Sequence, residues 1–238
     1  PFSTIFAIDD VRITTRFGKE EFFSSLTGTI HECGHALYMQ GHCREDARTM
    51  LADGASLGMH ESQSRMWENV IGRSLPFWKH YTPILREYHK DKLDKVTPEQ
   101  IHAAINRVQP SLIRVEADEC TYNLHIVVRF EIEVGLIEGA LRVQDVPEVW
   151  NATIKRYLGL DVPNDAQGCL QDIHWSHGDI GYFPTYALGN LYGTQLFETI
   201  EQALPALWSD VEAGNFAPLL DWLRDKVHRH GRRKLAPE

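Results

Sequence analysis

The residues His31-Glu32-Cys33-Gly34-His35 form the arrangement HExxH. On an α-helix, residues four apart differ by about 40° of rotation, so both imidazoles leave one face and can reach a single ion at about 2.0–2.1 Å. Glu32, one residue along and near the same opening, can hold a water as general base instead of binding the ion. Catalytic zinc takes three protein ligands and keeps one position open. The candidate third ligand stands on the next helical stretch, in His60-Glu61-Ser62-Gln63. Glu61 could complete a two-histidine, one-carboxylate set. His60 competes with it, because neighbouring helical residues face about 100° apart and one of the two must point elsewhere. The HExxHxxGxxH class is excluded, since Tyr38 and Gly41 stand where it needs glycine and histidine.

The elements that must position these residues are mostly helical. Val11, Ile13, Thr15 and Phe17 alternate with polar residues as one half-buried strand, the clearest in the chain. From about Glu20 the apolar spacing becomes helical through Leu26, Ile30 and Leu37, and this helix, which carries His31 and His35, should stop at Gly41. Further helices are expected at about Ala52–Ile71, Pro76–Lys90, Asp118–Val134, Pro147–Leu158, Thr185–Leu204 and Phe216–Arg229. Thr97, Pro98 and Gln100 read as a capping box with proline at the first helical position, opening a helix to about Val108. The Gly- and Pro-rich stretches Gly159–Gly168 and Gly178–Thr185 read as ordered loops.

Composition bounds the remaining possibilities. The 238 residues carry 24 Lys+Arg against 33 Asp+Glu, a net charge of −9 that excludes a generally basic nucleic-acid binder. The basic tail Arg224–Lys234 therefore reads as a solvated helix end complementing the helix dipole. The four cysteines, Cys33, Cys43, Cys120 and Cys169, form no CxxC pair or dense array, and no apolar run or leader-like segment points to a membrane or the secretory route. A reducing, cytoplasmic location is expected. With no repeat or linker, residues 1–238 read as one domain.

Several separated blocks together resemble the carboxypeptidase Taq family of zinc metallocarboxypeptidases. They are PFST with DVRITTRF, HECGHALY, HESQSRMWEN, IRVEADE (Ile113–Glu119) and QDIHWSHGDIGYFPTYALGN (Gln171–Asn190). The resemblance implies a mainly α, gluzincin-like HExxH metallopeptidase domain with a short strand near its N-terminus. It further implies removal of single residues from peptide C-termini, one Zn2+ on His31, His35 and Glu61, Glu32 as general base, and a homodimer. Co2+ or another divalent ion could substitute. Family members are longer, with a helical portion before the first block, so the chain resembles their C-terminal half.

Within the matched blocks, His174, Tyr182 and Tyr186 are candidate donors to the oxyanion, with His174 and Tyr186 favoured. Arg114 is the candidate for a substrate carboxylate, against the alternative of an ion pair with Asp118 four residues on. His60, Gln63, Asp118, Gln171 and Asp172 read as residues that orient ligands or Arg114. Two competing readings stand beside the carboxypeptidase. One is an aminopeptidase or endopeptidase with the same HExxH, although Arg65 occupies the acidic position of an ExxxD ligand helix and no GxMEN-like block occurs. The other is a truncated zinc-binding fragment without turnover.

Overall fold

The N-terminal alternation forms a strand only because a second strand is there to pair with it. In the computed structural model, which describes residues 2–18 and 22–236, β1 (Phe2–Ala7) and β2 (Asp10–Thr14) make an antiparallel hairpin with Phe2 opposite Thr14. The strand expected at Val11–Phe17 thus ends earlier, and its partner was not anticipated. Among the described residues, everything after the hairpin is helix or connection. The helices are α1 (Phe22–Gln40), α2 (Leu57–Arg65), α3 (Leu75–Tyr88), α4 (Lys90–Leu93), α5 (Pro98–Ile105) and α6 (Tyr122–Ile137). They continue as α7 (Val146–Leu158), α8 (His174–His177), α9 (Pro184–Ala203), α10 (Leu207–Glu212) and α11 (Ala217–Lys226). The mainly α expectation holds; Glu20, the expected start of the first helix, lies outside the described residues.

Local chemistry sets several boundaries. Ser56 Oγ accepts from the Met59 amide and starts α2 there, so the helix expected from Ala52 begins five residues later. The stretch Met66–Ile71 widens into π turns, with the Gly72 amide donating to the Trp67 carbonyl. Thr97 and Gln100 form the reciprocal bonds of the capping box ahead of α5.

The chain divides into two compact units, Pro1–Ile105 with Leu188–Glu238, and Asn106–Ala187. In the first, Trp78 of α3, Ile71, Ile200 of α9, and Leu219 and Leu223 of α11 meet in one buried core. This core anchors the helices that carry His31, His35 and Glu61. In the second, Val128 and Ile132 of α6 pack on Trp150 and Ile154 of α7. A smaller cluster of Ala117, Tyr122, Ile126 and Phe183 lies against Tyr186.

Candidate metal centre

Two glycines let the ligand-bearing backbones approach. A Cβ on Gly34 of α1 would stand 2.6 Å from the Ser64 Cα of α2, so the HExxH helix and its neighbour touch where no side chain fits between them. On the other side of α2, a Cβ on Gly189 of α9 would stand 2.7 Å from the Glu61 Cβ. Glu61 is therefore held between α1 and α9.

The close approach brings His31, His35 and Glu61 together, with one ligand atom from each lying within 4.8 Å of the others. The Glu61 oxygens stand 3.8 Å from His31 Nε2 and 3.5 Å from His35 Nε2. Ligands arranged tetrahedrally at 2.0–2.1 Å from one ion stand roughly 3.4 Å apart, so the donor set fits a divalent metal in number, chemistry and spacing. Of His60 and Glu61, it is Glu61 that belongs to this group.

His60 stands behind the set, its Nδ1 2.6 Å from His35 Nδ1. Burial, reinforced by the nearby His35, pulls the His60 pKa down to about 3, so the ring is neutral. A metal on His35 Nε2 would require the ring hydrogen on Nδ1, where it can donate to His60. Glu68 takes the same place for His31. Its carboxylate only accepts, so His31 Nδ1 carries the hydrogen in their 2.9 Å bond, which points Nε2 to the metal side. Burial works against ionisation of Glu61, but the hydrogen bond from His35 and the charges of His31 and Arg65 outweigh it and hold its pKa near about 2. Arg65 reaches both acids, 3.1 Å from Glu61 and 3.6 Å from Glu68. Glu32 is buried on α1 and joins no ion pair among the described residues.

The second unit holds Arg114, Asp118, Gln171, Asp172, His174, Tyr182 and Tyr186. Arg114 is buried, and its Nε and Nη2 engage Asp172 while Nη1 donates to the Tyr122 hydroxyl at 2.7 Å. Asp172 also accepts from Arg129 Nε at 2.6 Å, and Gln171 Oε1 accepts from the Arg114 amide and Arg129 Nη2. Burial opposes ionisation of Asp172, but these two guanidiniums hold its pKa below the usual carboxylate range. Asp118 instead receives the Cys120 and Thr121 amides at the start of α6, so the considered pair with Arg114 does not form. His174 Nε2 lies 2.9 Å from the Tyr186 hydroxyl, and the Tyr182 ring is 5.2 Å from the His174 ring. Burial and then the Arg114 cation lower the His174 pKa, which leaves the ring neutral.

All of residues 1–238 match the family model described as carboxypeptidase Taq (M32) metallopeptidase. The chain belongs to that family. It is 48% identical over 233 residues to thermostable carboxypeptidase 1 of Thermus thermophilus, covering 98% of this chain and 46% of that protein. It is 46% identical over 234 residues to carboxypeptidase 1 of Bacillus subtilis, covering 98% and 47%. The M32 carboxypeptidase structure from Deinococcus radiodurans superposes with a TM-score of 0.95 at 45% identity, over 98% of this chain and 47% of that one. The chain therefore spans about half the length of the curated relatives it matches. Among the described residues, no helix is long and apolar enough to cross a membrane.

Sequence reasoning missed Glu68 and His228. Glu68 stands within the matched block HESQSRMWEN, seven residues after Glu61, and two helical turns bring such residues to the same side. The spacing was thus a usable signal. His228 gave none, because its partner Gln63 lies 165 residues away. The tail around it is also not simply a solvated helix end. Helix α11 stops at Lys226, His228 is fully buried, and Arg233 pairs with Asp46.

Proposed function

We propose that this chain carries the hydrolytic centre of a metal-dependent carboxypeptidase, releasing single residues from peptide C-termini. The convergence of His31, His35 and Glu61, with Glu68 and His60 bonded to the Nδ1 atoms of the two imidazoles, carries this reading. Two imidazoles and a carboxylate are a catalytic zinc set, so Zn2+ is the proposed ion, with Co2+ as a workable substitute. When bound, the ion supplies Lewis acidity toward the scissile carbonyl and lowers the pKa of a water.

The protein's own residues do the rest. Glu32 accepts the proton of the attacking water and returns it to the leaving nitrogen. In the second unit, the Tyr186 hydroxyl, oriented by His174, is the proposed donor to the oxyanion, with Tyr182 assisting. Arg114 is proposed to recognise the terminal carboxylate. Asp172 takes its Nε–Nη2 edge, which leaves a second hydrogen on each Nη for substrate. Gln171 and Asp172 hold it in orientation.

The test is release of free amino acid from an N-blocked dipeptide by the zinc-loaded chain. A C-terminally amidated substrate should not be cleaved, and Glu32→Gln should lose at least about 10²-fold in kcat while keeping its zinc. Equal cleavage of the amide would overturn the carboxypeptidase assignment. Zinc bound without turnover by the parent chain would favour the fragment reading.

A further inference from the structure

The residues after α11 fasten to both ligand-bearing helices. His228 is fully buried, and its Nε2 lies 3.0 Å from Gln63 Oε1. Burial, then the neighbouring charges of His42 and Arg224, pulls its pKa down to about 3, so the ring is neutral. A neutral imidazole facing an amide oxygen must carry its hydrogen on Nε2 and donate it. Gln63 follows Glu61 by two residues, about 200° around α2, so His228 grips the side of α2 away from the ligand carboxylate.

The same ring abuts the end of α1. A Cβ on Gly41 would stand 2.5 Å from His228 Cβ and Nδ1, and the Tyr38 ring packs 5.3 Å from the imidazole. Tyr38 also packs on His60, whose Nδ1 meets His35. The segment His228–Arg233 is itself pinned to the connection between α1 and α2. The Arg232 amide donates to the Leu51 carbonyl, and Arg232 and Arg233 pair with Asp53 and Asp46 at 2.6 Å each. Gly231, at φ +46°, turns the segment where a Cβ would strike the Leu51 carbonyl oxygen.

We infer that the C-terminal segment His228–Arg233 is a clasp for the metal centre, and that His228 is a positioning residue acting through Gln63 on Glu61 and through Tyr38 and His60 on His35. This rests on the metal-site reading above. Neither ligand touches His228. It fixes the rotation of α2 and the end of α1, and hence the separation of the Glu61 carboxylate from the two imidazoles. Residues that orient metal ligands typically contribute 10- to 100-fold in affinity.

The deciding measurement is Zn2+ affinity of the whole 238-residue chain by competition with a chromophoric chelator, well below each variant's Tm. It is paired with the visible absorption spectrum of the Co2+ form. His228→Leu is expected to bind Zn2+ at least tenfold more weakly and to alter the Co2+ spectrum. His228→Gln, which can still present an N–H toward Gln63, should recover most of that affinity. Ile154→Ala serves as the control, since it removes core packing in the second unit and should lower Tm with zinc affinity unchanged. Should His228→Leu fail to fold, Gly41→Ala pushes on the same ring from α1 and is expected to weaken Zn2+ binding likewise.

Zinc binding by His228→Leu at the parent's affinity, or an equal loss in Ile154→Ala, would refute the clasp. Failure of the parent chain to bind Zn2+ overturns the metal-site reading and the clasp with it, and is told apart because it appears before any substitution.

Discussion

Each imidazole of the proposed metal set has one nitrogen committed elsewhere, His31 Nδ1 to Glu68 and His35 Nδ1 to His60. A histidine with only one free lone pair is aimed as well as basic, so the supporting acid matters almost as much as the ligand. Glu68→Ala should weaken Zn2+ binding by about 10- to 100-fold while leaving the helical signal intact, read by chelator competition and circular dichroism. Tyr186→Phe removes the hydroxyl beside His174 and nothing from the metal set. It should lower kcat by roughly 10²-fold at unchanged zinc content. Unaltered kcat in that variant would remove Tyr186 from the reaction.

Helices α1 and α2 are held at contact distance by the absence of a side chain at Gly34. Gly34→Ala places a methyl against the Ser64 backbone, which cannot swing away as a side chain could. The expected cost is about 1–3 kcal/mol of stability together with weaker zinc retention. Cys33→Ala, one residue along and exposed, should stay within about 0.5 kcal/mol by urea unfolding. The capping box ahead of α5 offers a test without chemistry: Thr97→Ala loses the bond from the Gln100 amide and should cost about 0.5–2 kcal/mol. The helices were readable in outline from apolar spacing and caps. The π turns at Met66–Ile71 were not, because nothing in a 3.6-residue period distinguishes them from ordinary helix.

For the whole molecule, buried neutral histidines tie stability to pH. Burial first, then the charges of Arg129 and Arg114, pulls His125 in the second unit down to about 4. A depressed histidine binds its proton more readily when unfolded, so it adds nothing to acid sensitivity at neutral pH and costs stability as pH falls from about 6.5 toward 4. His125→Phe should abolish about 3 kcal/mol of the loss between pH 7 and pH 4, measured as the difference in unfolding free energy between those two pH values. His228 acts in the same direction in the first unit, down to about pH 3.

The sequence by itself determined the family and the mainly helical class, and it put His31 and His35 on one face of α1, because two histidines four apart share a helical face in any tertiary context. It also named Glu61, which the fold brings beside them. Only the tertiary structure decided that His60 backs His35, that Asp172 rather than Asp118 takes the Arg114 fork, and that His228 grips Gln63. Spacing along one helix fixes direction locally. Contacts between residues 25, 58 and 165 positions apart depend on how whole helices pack, and no local period encodes that.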